Sequence, residues 1–177
     1  MIFTKGKFRG VFIIEPELVS DDRGYHTRIF CKKEYRTSIK AIDIKQLNRS
    51  LSLKKGIIRG LHYQLGSSAE DKFLVQCLKG SLYGVIADIR KESRTFGQWM
   101  GVELTEENMK MLFVPKGLAF GIQALKNSTI LQYAVSAFYV PTKRGGIRWD
   151  DPYFNFKWPI KNTIVSKVDQ SWPLFNP

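Results

Sequence analysis

The feature that most constrains this sequence is that its apolar segments are short and are separated by frequent turn signals. Clusters of glycine, proline, serine, aspartate and lysine interrupt the chain before an apolar run reaches the length of an ordinary helix. Many short strands joined by close turns are typical of an antiparallel sandwich or barrel. The strands that this pattern predicts are Phe12–Ile14, Ala41–Ile44, Ile57–Tyr63, Phe73–Leu78, Leu82–Ile89, Met111–Val114, Leu118–Leu125 and Ile130–Tyr139.

Helix signals are few, and no repeat or linker divides the chain. A short helical turn is predicted near Lys32–Arg36, and a Thr-x-x-Asn pattern predicts a turn at Thr105–Asn108. We therefore expect residues 1–177 to form a single all-β domain with a few short helices. From Trp149 onward the sequence is rich in proline and aromatic residues. This segment is expected either to pack over the sandwich as a tail or to carry a polar residue back to a site.

The amino-acid composition indicates the cellular compartment of the protein. Of the 177 residues, 44% are hydrophobic, which is enough for a sizeable core. The two cysteines, Cys31 and Cys77, are too few for a disulfide framework and indicate a reducing cytoplasm. No stretch of about 18 apolar residues occurs, and the first residues lack the apolar core of a secretory signal. We expect a cytoplasmic protein that neither spans a membrane nor is secreted.

The net charge of +12 is compatible with nucleic acid, an anionic membrane surface or a phosphorylated small molecule as partner. The basic residues are scattered, and no helix-turn-helix, zinc-finger or aromatic RNA-binding signature is present. We therefore expect no nucleic-acid partner and no membrane partner. The charge either belongs to a solvated lysine-rich surface or helps to bind a phosphorylated ligand.

The chain contains only two histidines, His26 and His62, and they are far apart in the sequence. A metal site in a small β-barrel usually needs two or three histidines and a carboxylate, so no metal is expected. His62 lies in the segment RGLHYQ. A single histidine in an apolar run is often structural, and its neighbours must decide whether it has a chemical role.

Several polar residues are expected to converge near His62. Arg59 offers a bidentate donor suited to phosphate, and Gln46 and Asn48 share one face of a preceding strand because side chains alternate with a period of two. Buried polar groups that converge in this way need a polar ligand. Strict alternation also places Arg59 and His62 on opposite faces. Either Gly60 marks a bulge that brings them together, or Arg59 acts at the rim.

Three further residues have side chains suited to proton transfer or charge stabilisation. Lys72 is expected to begin another strand, and Tyr133 and Tyr139, six residues apart, share a face of a regular strand. The tyrosines are either core aromatics with solvated hydroxyl groups or proton donors.

Separated motifs along nearly the whole chain resemble the dTDP-4-dehydrorhamnose 3,5-epimerase family. Each motif is weakly specific, but their order and spacing together are strongly specific. They are DRGY (22–25), QLNRSLS (46–52), GIIRGLHYQ (56–64), DIR (88–90), TFGQW (95–99), VPKG (114–117), YVP (139–141), GIRWDDP (146–152) and SKVD (166–169).

The resemblance implies a double-stranded β-helix jelly roll of the cupin kind, usually a homodimer, that epimerises a nucleoside-diphosphate 4-keto-6-deoxy sugar without metal or cofactor. Such an isomerase would act in deoxysugar biosynthesis, for example for lipopolysaccharide O-antigen. The implied roles are His62 as base, Asp169 as its paired carboxylate, Tyr133 as the acid on the opposite face of the sugar, Lys72 as the cation near the ketone oxygen, Arg23 and Arg59 as diphosphate ligands, Gln46 and Asn48 as ligand-binding polar residues, and Tyr139 as the ring that stacks on the nucleobase.

These residue types suit the implied chemistry. Removing the proton beside a ketone creates an enolate, whose negative charge a preorganised lysine could stabilise. Histidine titrates at about pH 6.5 in water, so a neutral base is available at neutral pH. Inversion requires a second group that returns a proton from the other face, which a tyrosine can do. No cofactor is expected, because the ketone of the substrate itself accepts the electron pair.

Several positions depart from the family pattern. Arg28 and Arg144 stand where the family usually has glutamate near the nucleotide, and each exchange changes the local charge by about two units. Phe120 and Gly84 stand where the family usually has a His–Asp pair, and losing both partners together avoids a buried unpaired charge. We expect Arg28, Phe120 and Arg144 to contact the substrate and to alter its recognition.

These departures leave alternatives open. One is a single-site C3- or C5-epimerase acting on a CDP-, GDP- or dTDP-linked 4-keto sugar. A second is a ketoisomerase on the same scaffold, although such sites usually offer more than one histidine. A third is a non-catalytic protein that binds a sugar nucleotide. The retained acid and base argue against this last alternative, because a binding protein needs neither.

Overall fold

The structure is a computed structural model that describes residues 1–39, 43–65 and 72–177. Fourteen strands and two short α-helices lie within these residues, together with a 3₁₀ turn at Pro141–Lys143. The elements are β1 (Ile2–Lys5), β2 (Phe12–Glu15), β3 (Leu18–Asp21), β4 (Gly24–Thr27), α1 (Lys32–Ile39), β5 (Gln46–Ser52), β6 (Ile57–Gln64), β7 (Phe73–Lys79), β8 (Ser81–Asp88), β9 (Trp99–Thr105), β10 (Met111–Val114), β11 (Leu118–Ala124), β12 (Thr129–Val135), β13 (Arg144–Gly146), β14 (Ile164–Val165) and α2 (Lys167–Gln170).

Two large antiparallel sheets carry most of the strands. The first sheet has the order β1-β2-β10-β7-β12-β5, and the second has the order β13-β6-β11-β8-β9, with β14 added in parallel to β6. From β5 onward the chain passes repeatedly from one sheet to the other, so that β8 and β9 are the consecutive strands that remain neighbours within a sheet among the described residues. Strands β3 and β4 form a separate hairpin. The expectation of an all-β sandwich is confirmed.

The main core lies between the two sheets. It contains Val75 and Leu112 from the first sheet and Leu82, Ile86 and Leu118 from the second. Strand β8 is buried on both faces, as its nearly continuous apolar sequence requires. Because side chains alternate along a strand, its even-numbered apolar residues face this core and its odd-numbered ones face the opposite side.

Separate segments cover the outer face of each sheet. Helix α1 packs Tyr35 and Ile39 against the first sheet. The aromatic segment after Trp149 packs Phe154, Phe156 and Trp158 against the second sheet, where the Phe154 and Phe156 rings stack at 5.1 Å between centroids. This tail therefore packs over the sandwich, which confirms the first of the two expectations for it.

Several predicted elements differ in extent. Helix α1 continues three residues beyond Arg36, and β12 ends at Val135 rather than at Tyr139 because the chain turns towards the proline-initiated 3₁₀ turn. The predicted strand Ala41–Ile44 lies partly outside the described residues, and its last two residues are not in a strand. The hairpin β3–β4 was not predicted from apolar runs, because its residues are largely exposed.

The turn at Thr105–Asn108 is confirmed. The Asn108 backbone N–H donates to Thr105 Oγ1 at 2.9 Å, and the Thr105 N–H donates to Asn108 Oδ1 at 3.1 Å. Neither α-helix, nor any other segment within residues 1–39, 43–65 and 72–177, is a candidate for a membrane-spanning helix.

Candidate active site

A cavity of about 810 Å³ lies between the two sheets on the side of β5 and β6. The first sheet contributes one wall through β5, β7 and β12, and the second sheet contributes the other through β6, β11 and β13. Segment 164–169, which contains β14 and the start of α2, closes one side. The site is therefore enclosed by rigid strands, and a segment distant in sequence closes it.

A bulge in β6 brings Arg59 and His62 to the same cavity. Phe120 of β11 pairs with His62 and Ile122 pairs with Arg59, so three steps along β6 match two along β11. Gly60 has a φ of +102°, and a Cβ there would lie 2.7 Å from the Phe120 carbonyl oxygen, so the bulge requires glycine. The interpretation that Gly60 marks a bulge is thus correct, and both side chains line the cavity.

His62 and Asp169 form a close pair. His62 Nε2 lies 2.6 Å from Asp169 Oδ1, and the Asp169 side chain is only 6% exposed. Burial alone would raise the pKa of Asp169, but its contact with His62, together with hydrogen bonds from the Gly60 amide and Trp172, lowers it to about 2. Asp169 is therefore ionised at neutral pH and can orient the imidazole and stabilise its protonated form.

The tail positions Asp169 through three contacts. Ser166 caps α2 by accepting a hydrogen bond from the Asp169 N–H at 3.1 Å. Strand β14 pairs in parallel with β6 immediately before this helix. The Trp172 indole packs on the backbone of Gly146, where a Cβ would lie 2.3 Å from the ring, and its Nε1–H donates to Asp169 Oδ1 at 3.3 Å. The tail thus also carries a polar residue back to the site, which was the second expectation for it.

Arg144 reaches the same pair from β13. Gly146 pairs with His62 in register, so Arg144, two residues earlier, lies on the same side of the sheet as His62. Its Nη2 lies 3.3 Å from Asp169 Oδ1 and contacts His62 Nε2, and its guanidinium carbon lies 5.6 Å from the Trp172 ring centroid. The register of β13 therefore directs the side chain to the His–Asp pair, and the expected contact of Arg144 with the substrate stays a prediction.

One part of the cavity wall is aromatic. The Phe120 and Tyr133 rings lie 6.2 Å and 6.4 Å from the Phe73 ring, measured between centroids. A Cβ on Gly84 would lie 3.3 Å from Phe120 Cε2, so the ring fills the space beside this glycine. The two departures from the family pattern are therefore one packing unit, and it provides no hydrogen-bonding group next to His62.

The polar residues of β5 face the cavity as predicted. Gln46, Asn48 and Ser50 line it, whereas the alternate residues Leu47 and Leu51 are exposed. Gln46 Oε1 accepts a hydrogen bond from the Tyr139 N–H at 2.8 Å, which ties this strand to the loop after β12.

The remaining cavity residues from the prediction lie on different elements. Tyr133 lines the cavity from β12, and Tyr139 lines it from a loop rather than from a shared strand face. Arg59 donates to the Leu51 carbonyl oxygen at 3.0 Å and to Ser52 Oγ at 3.3 Å.

Three predicted site residues are not among those that line the cavity. Arg23 forms an exposed pair with Asp21, and Arg28 forms one with Glu34 at 3.1 Å. Lys72 immediately precedes β7, and its N–H donates to Ser136 Oγ at 2.9 Å. The structure therefore does not bring these three cations to the His62–Asp169 pair, and their substrate contacts stay predictions.

Two further residues at the site, Gln64 and Trp172, were not predicted from the sequence. Gln64 lines the cavity two residues after His62 on the same face, and its Oε1 is buried with no hydrogen-bond partner among the described residues. Alternation could have identified it, since it shares the face of His62. Trp172 lies in an irregular segment where no periodicity identifies a partner. Within the described part of the chain, no three histidine, cysteine, aspartate or glutamate side chains group as a metal site.

Comparisons with known proteins agree with this geometry. The sequence profile described as dTDP-4-dehydrorhamnose 3,5-epimerase matches residues 5–177. The chain belongs to the dTDP-4-dehydrorhamnose 3,5-epimerase family. It is 38% identical over 174 residues to the enzyme of that name from Sinorhizobium fredii, covering 98% of this chain and 89% of the relative. The family is one of isomerases, and the recognition made from the sequence motifs is confirmed.

Solved structures of the family also match the fold. The epimerase from Bacillus anthracis, with TDP and PPi bound, has a TM-score of 0.94 and 36% identity, covering 98% of this chain and 99% of that one. The enzyme from Legionella pneumophila, in complex with dTDP-4-keto-L-rhamnose, has a TM-score of 0.91 and 34% identity, covering 98% and 92%. The cupin-like jelly roll of this family is therefore the fold of this chain.

Proposed function

We propose that this protein epimerises a dTDP-linked 4-keto-6-deoxy sugar, with His62 removing the proton beside the ketone. The observation that carries the proposal is the His62–Asp169 pair, with 2.6 Å between Nε2 and Oδ1, in a cavity whose opposite wall contains Tyr133. Family membership and the relatives with TDP or a dTDP-sugar bound support this class of substrate. We also propose that residues 1–177 act as one domain.

Each catalytic role follows from the chemistry of its side chain. A neutral imidazole has one protonated nitrogen and one with a lone pair. When Nε2–H donates to Asp169, the other ring nitrogen can take the carbon-bound proton, and the C–H electron pair moves into the enolate. Asp169 then stabilises the imidazolium. Tyr133 lies on the facing sheet and would return a proton from the other side of the sugar, which inverts the carbon.

Binding is proposed to use the polar residues of both walls. Gln46, Asn48, Arg59 and Tyr139 line the cavity and provide donors, acceptors and a stacking ring for the nucleotide. Gln64 Oε1 is an acceptor without a partner among the described residues, so a hydroxyl or N–H of the ligand would satisfy it. Lys72, which immediately precedes β7, remains the proposed cation for the enolate oxygen because the resemblance to the family implies that role.

The decisive experiment is exchange of solvent deuterium into dTDP-4-keto-6-deoxyglucose in D₂O, read by NMR. Wild-type protein should incorporate two deuterons if both C3 and C5 react and one if a single site reacts. His62→Asn and Asp169→Asn should lower the exchange rate by about 10²–10⁴-fold. Asp150→Asn is the matched control, because Asp150 pairs with Arg148 outside the cavity and should leave the rate unchanged.

Either of two results would contradict the proposal. Wild-type protein that binds the dTDP-sugar without exchanging any deuteron would indicate a binding protein. A folded His62→Asn variant with undiminished exchange would show that another group is the base. Repeating the reaction with CDP- and GDP-linked 4-keto sugars tests whether the arginine substitutions have altered nucleotide recognition.

We further propose a homodimer. The hairpin β3–β4 pairs with no other strand in the described residues, yet Leu18, Val19 and Tyr25 on it are 49%, 71% and 60% exposed. Burying these apolar side chains against a second subunit would be favourable, because it removes apolar surface from water. Light scattering after size exclusion should give twice the chain mass of 20.4 kDa, and the monomer mass would refute the dimer.

The proposed compartment is the cytoplasm. Cys31 and Cys77 are both free thiols, which a reducing environment maintains.

A further inference from the structure

The Arg144 guanidinium lies against the proposed base, His62, and its partner Asp169. Its Nη2 lies 3.3 Å from Asp169 Oδ1 and contacts His62 Nε2, while its planar group lies over the Trp172 ring. The side chain is only 28% exposed. A buried carboxylate, an imidazole nitrogen and a permanent cation are therefore in contact with one another.

The hydrogen-bonding capacity of these groups is inconsistent with a fully active dyad. A guanidinium has only donors, and an imidazole nitrogen in the ring plane either donates or accepts. If Nε2 donates to Asp169, it cannot accept from Arg144. If Nε2 accepts from Arg144, it no longer donates to Asp169, and the Asp169–His62 pairing that activates the base is lost.

The charges lead to the same conclusion. Arg144 already balances the charge of Asp169, so a proton taken up by His62 would place a second cation beside the guanidinium. The other ionisable side chains lining the cavity are Arg59, Tyr63, Tyr133 and Tyr139. Arg59 is directed to the Leu51 carbonyl and the Ser52 hydroxyl. Among the described residues that line the cavity, Arg144 is therefore the cation that contacts His62.

We infer that Arg144 is a positioning residue that holds the His62–Asp169 pair inactive in the free protein and that the substrate diphosphate draws it away. The inference rests on the proposed function. A diphosphate offers a more highly charged, bidentate partner for the guanidinium than Asp169 does. Once Arg144 turns to the diphosphate, Nε2–H donates to Asp169, and the other ring nitrogen accepts the proton from carbon. The base is thereby active only when a nucleotide sugar is bound.

The test supplies the sugar and the diphosphate of the substrate as two separate molecules. Free 4-keto-6-deoxyglucose is incubated with the protein in D₂O, with and without inorganic pyrophosphate, at an ionic strength held constant with KCl. Because loss of a general base slows a reaction by about 10²–10⁴-fold, pyrophosphate should accelerate wild-type exchange by about 10²-fold or more. In Arg144→Gln, exchange should be fast without pyrophosphate and should not be accelerated by it.

Arg148→Gln is the matched control. Arg148 also pairs with an aspartate, Asp150, and lies 5.7 Å from a tryptophan ring, Trp149, but it does not line the cavity. This variant should respond to pyrophosphate as the wild type does.

The complete dTDP-sugar, measured in the same wild-type sample, separates the two proposals. If the complete sugar exchanges and pyrophosphate does not stimulate exchange of the free sugar, the role of Arg144 is wrong while the proposed function stands. Equal stimulation of Arg144→Gln and wild type also overturns it. If the complete sugar fails to exchange, the proposed function is wrong, and the inference about Arg144 is wrong with it.

Discussion

Replacing Asp88 with asparagine is expected to lower the free energy of unfolding by about 3–5 kcal/mol at pH 7. Asp88 ends β8 and is fully buried. Arg90 donates to both of its oxygens, from Nε at 2.8 Å and from Nη2 at 2.7 Å. The hydroxyl groups of Ser93 and Thr95 each donate to Oδ2 at 2.6 Å. An asparagine –NH₂ in place of that oxygen would face three donors, and the arginine would lose its counter-ion.

The lowered pKa of Asp88 sets a lower limit for the unfolding free energy that Asp88→Asn loses. Burial alone would raise this pKa, but the bonds from Arg90, Ser93 and Thr95 lower it from 3.8 to about 2. At about 1.4 kcal/mol per pH unit, ionisation contributes about 2.5 kcal/mol of stability at pH 7. Because the folded pKa is lowered, this contribution is complete above the unfolded value and is lost as the pH falls from about 4 towards 2.

The assay is equilibrium unfolding in urea, followed by tryptophan fluorescence at one protein concentration, at pH 7 and at pH 3. The difference between wild type and Asp88→Asn should narrow by about 1 kcal/mol at pH 3, because the ionic contribution of Asp88 is present only in the wild type and is partly lost there. Asp150→Asn is the matched control. Arg148 contacts Asp150 at the same two distances, 2.8 Å and 2.7 Å, but the Asp150 side chain is 41% exposed.

The two pairs differ in burial and in the hydroxyl groups of Ser93 and Thr95, which donate to Asp88 of the buried pair. The exposed pair should contribute less than about 1 kcal/mol. Equal losses of unfolding free energy for Asp88→Asn and Asp150→Asn would contradict the larger contribution expected of the buried Asp88. A loss for Asp88→Asn that does not change between pH 7 and pH 3 would also refute it.

Two further predictions concern the cavity. Gly84→Asp alone should lower the free energy of unfolding, measured in urea, by about 3 kcal/mol or more, because it buries an unpaired carboxylate against Phe120. Adding Phe120→His should restore part of this loss. A double variant no more stable than Gly84→Asp would argue against this pairing. Gly146→Ala should displace Trp172 from the backbone and lower the deuterium exchange rate about tenfold or more, because a misplaced catalytic group costs rate steeply, and an unchanged rate would show that Trp172 does not position Asp169.

Local patterns in the sequence predicted much of the architecture and part of the site. Alternation placed Gln46 and Asn48 on one cavity face, and the glycine at position 60 indicated the bulge that brings Arg59 beside His62. Motif order identified Asp169 as the partner of His62. These features depend on backbone periodicity or on residues that the family shares.

Other features depend on contacts that no local pattern contains. The position of Arg144 follows from the pairing of β13 with β6, which places residue 146 opposite residue 62. Trp172 reaches Asp169 through an irregular turn. The end of β12 at Val135 is set by the path of the chain towards the 3₁₀ turn rather than by its apolar sequence, which continues to Tyr139.

His62 and Asp169 are 107 positions apart in the sequence. His62 lies on β6, and Asp169 lies on α2, the last element along the chain. Contacts between such distant positions form late in folding, because closing a long loop is entropically unfavourable until other contacts support it. A collapsed intermediate with one sheet formed would contain the imidazole without its carboxylate. Such an intermediate would be catalytically silent, and enzyme activity during refolding should return with the slowest folding step rather than with secondary structure.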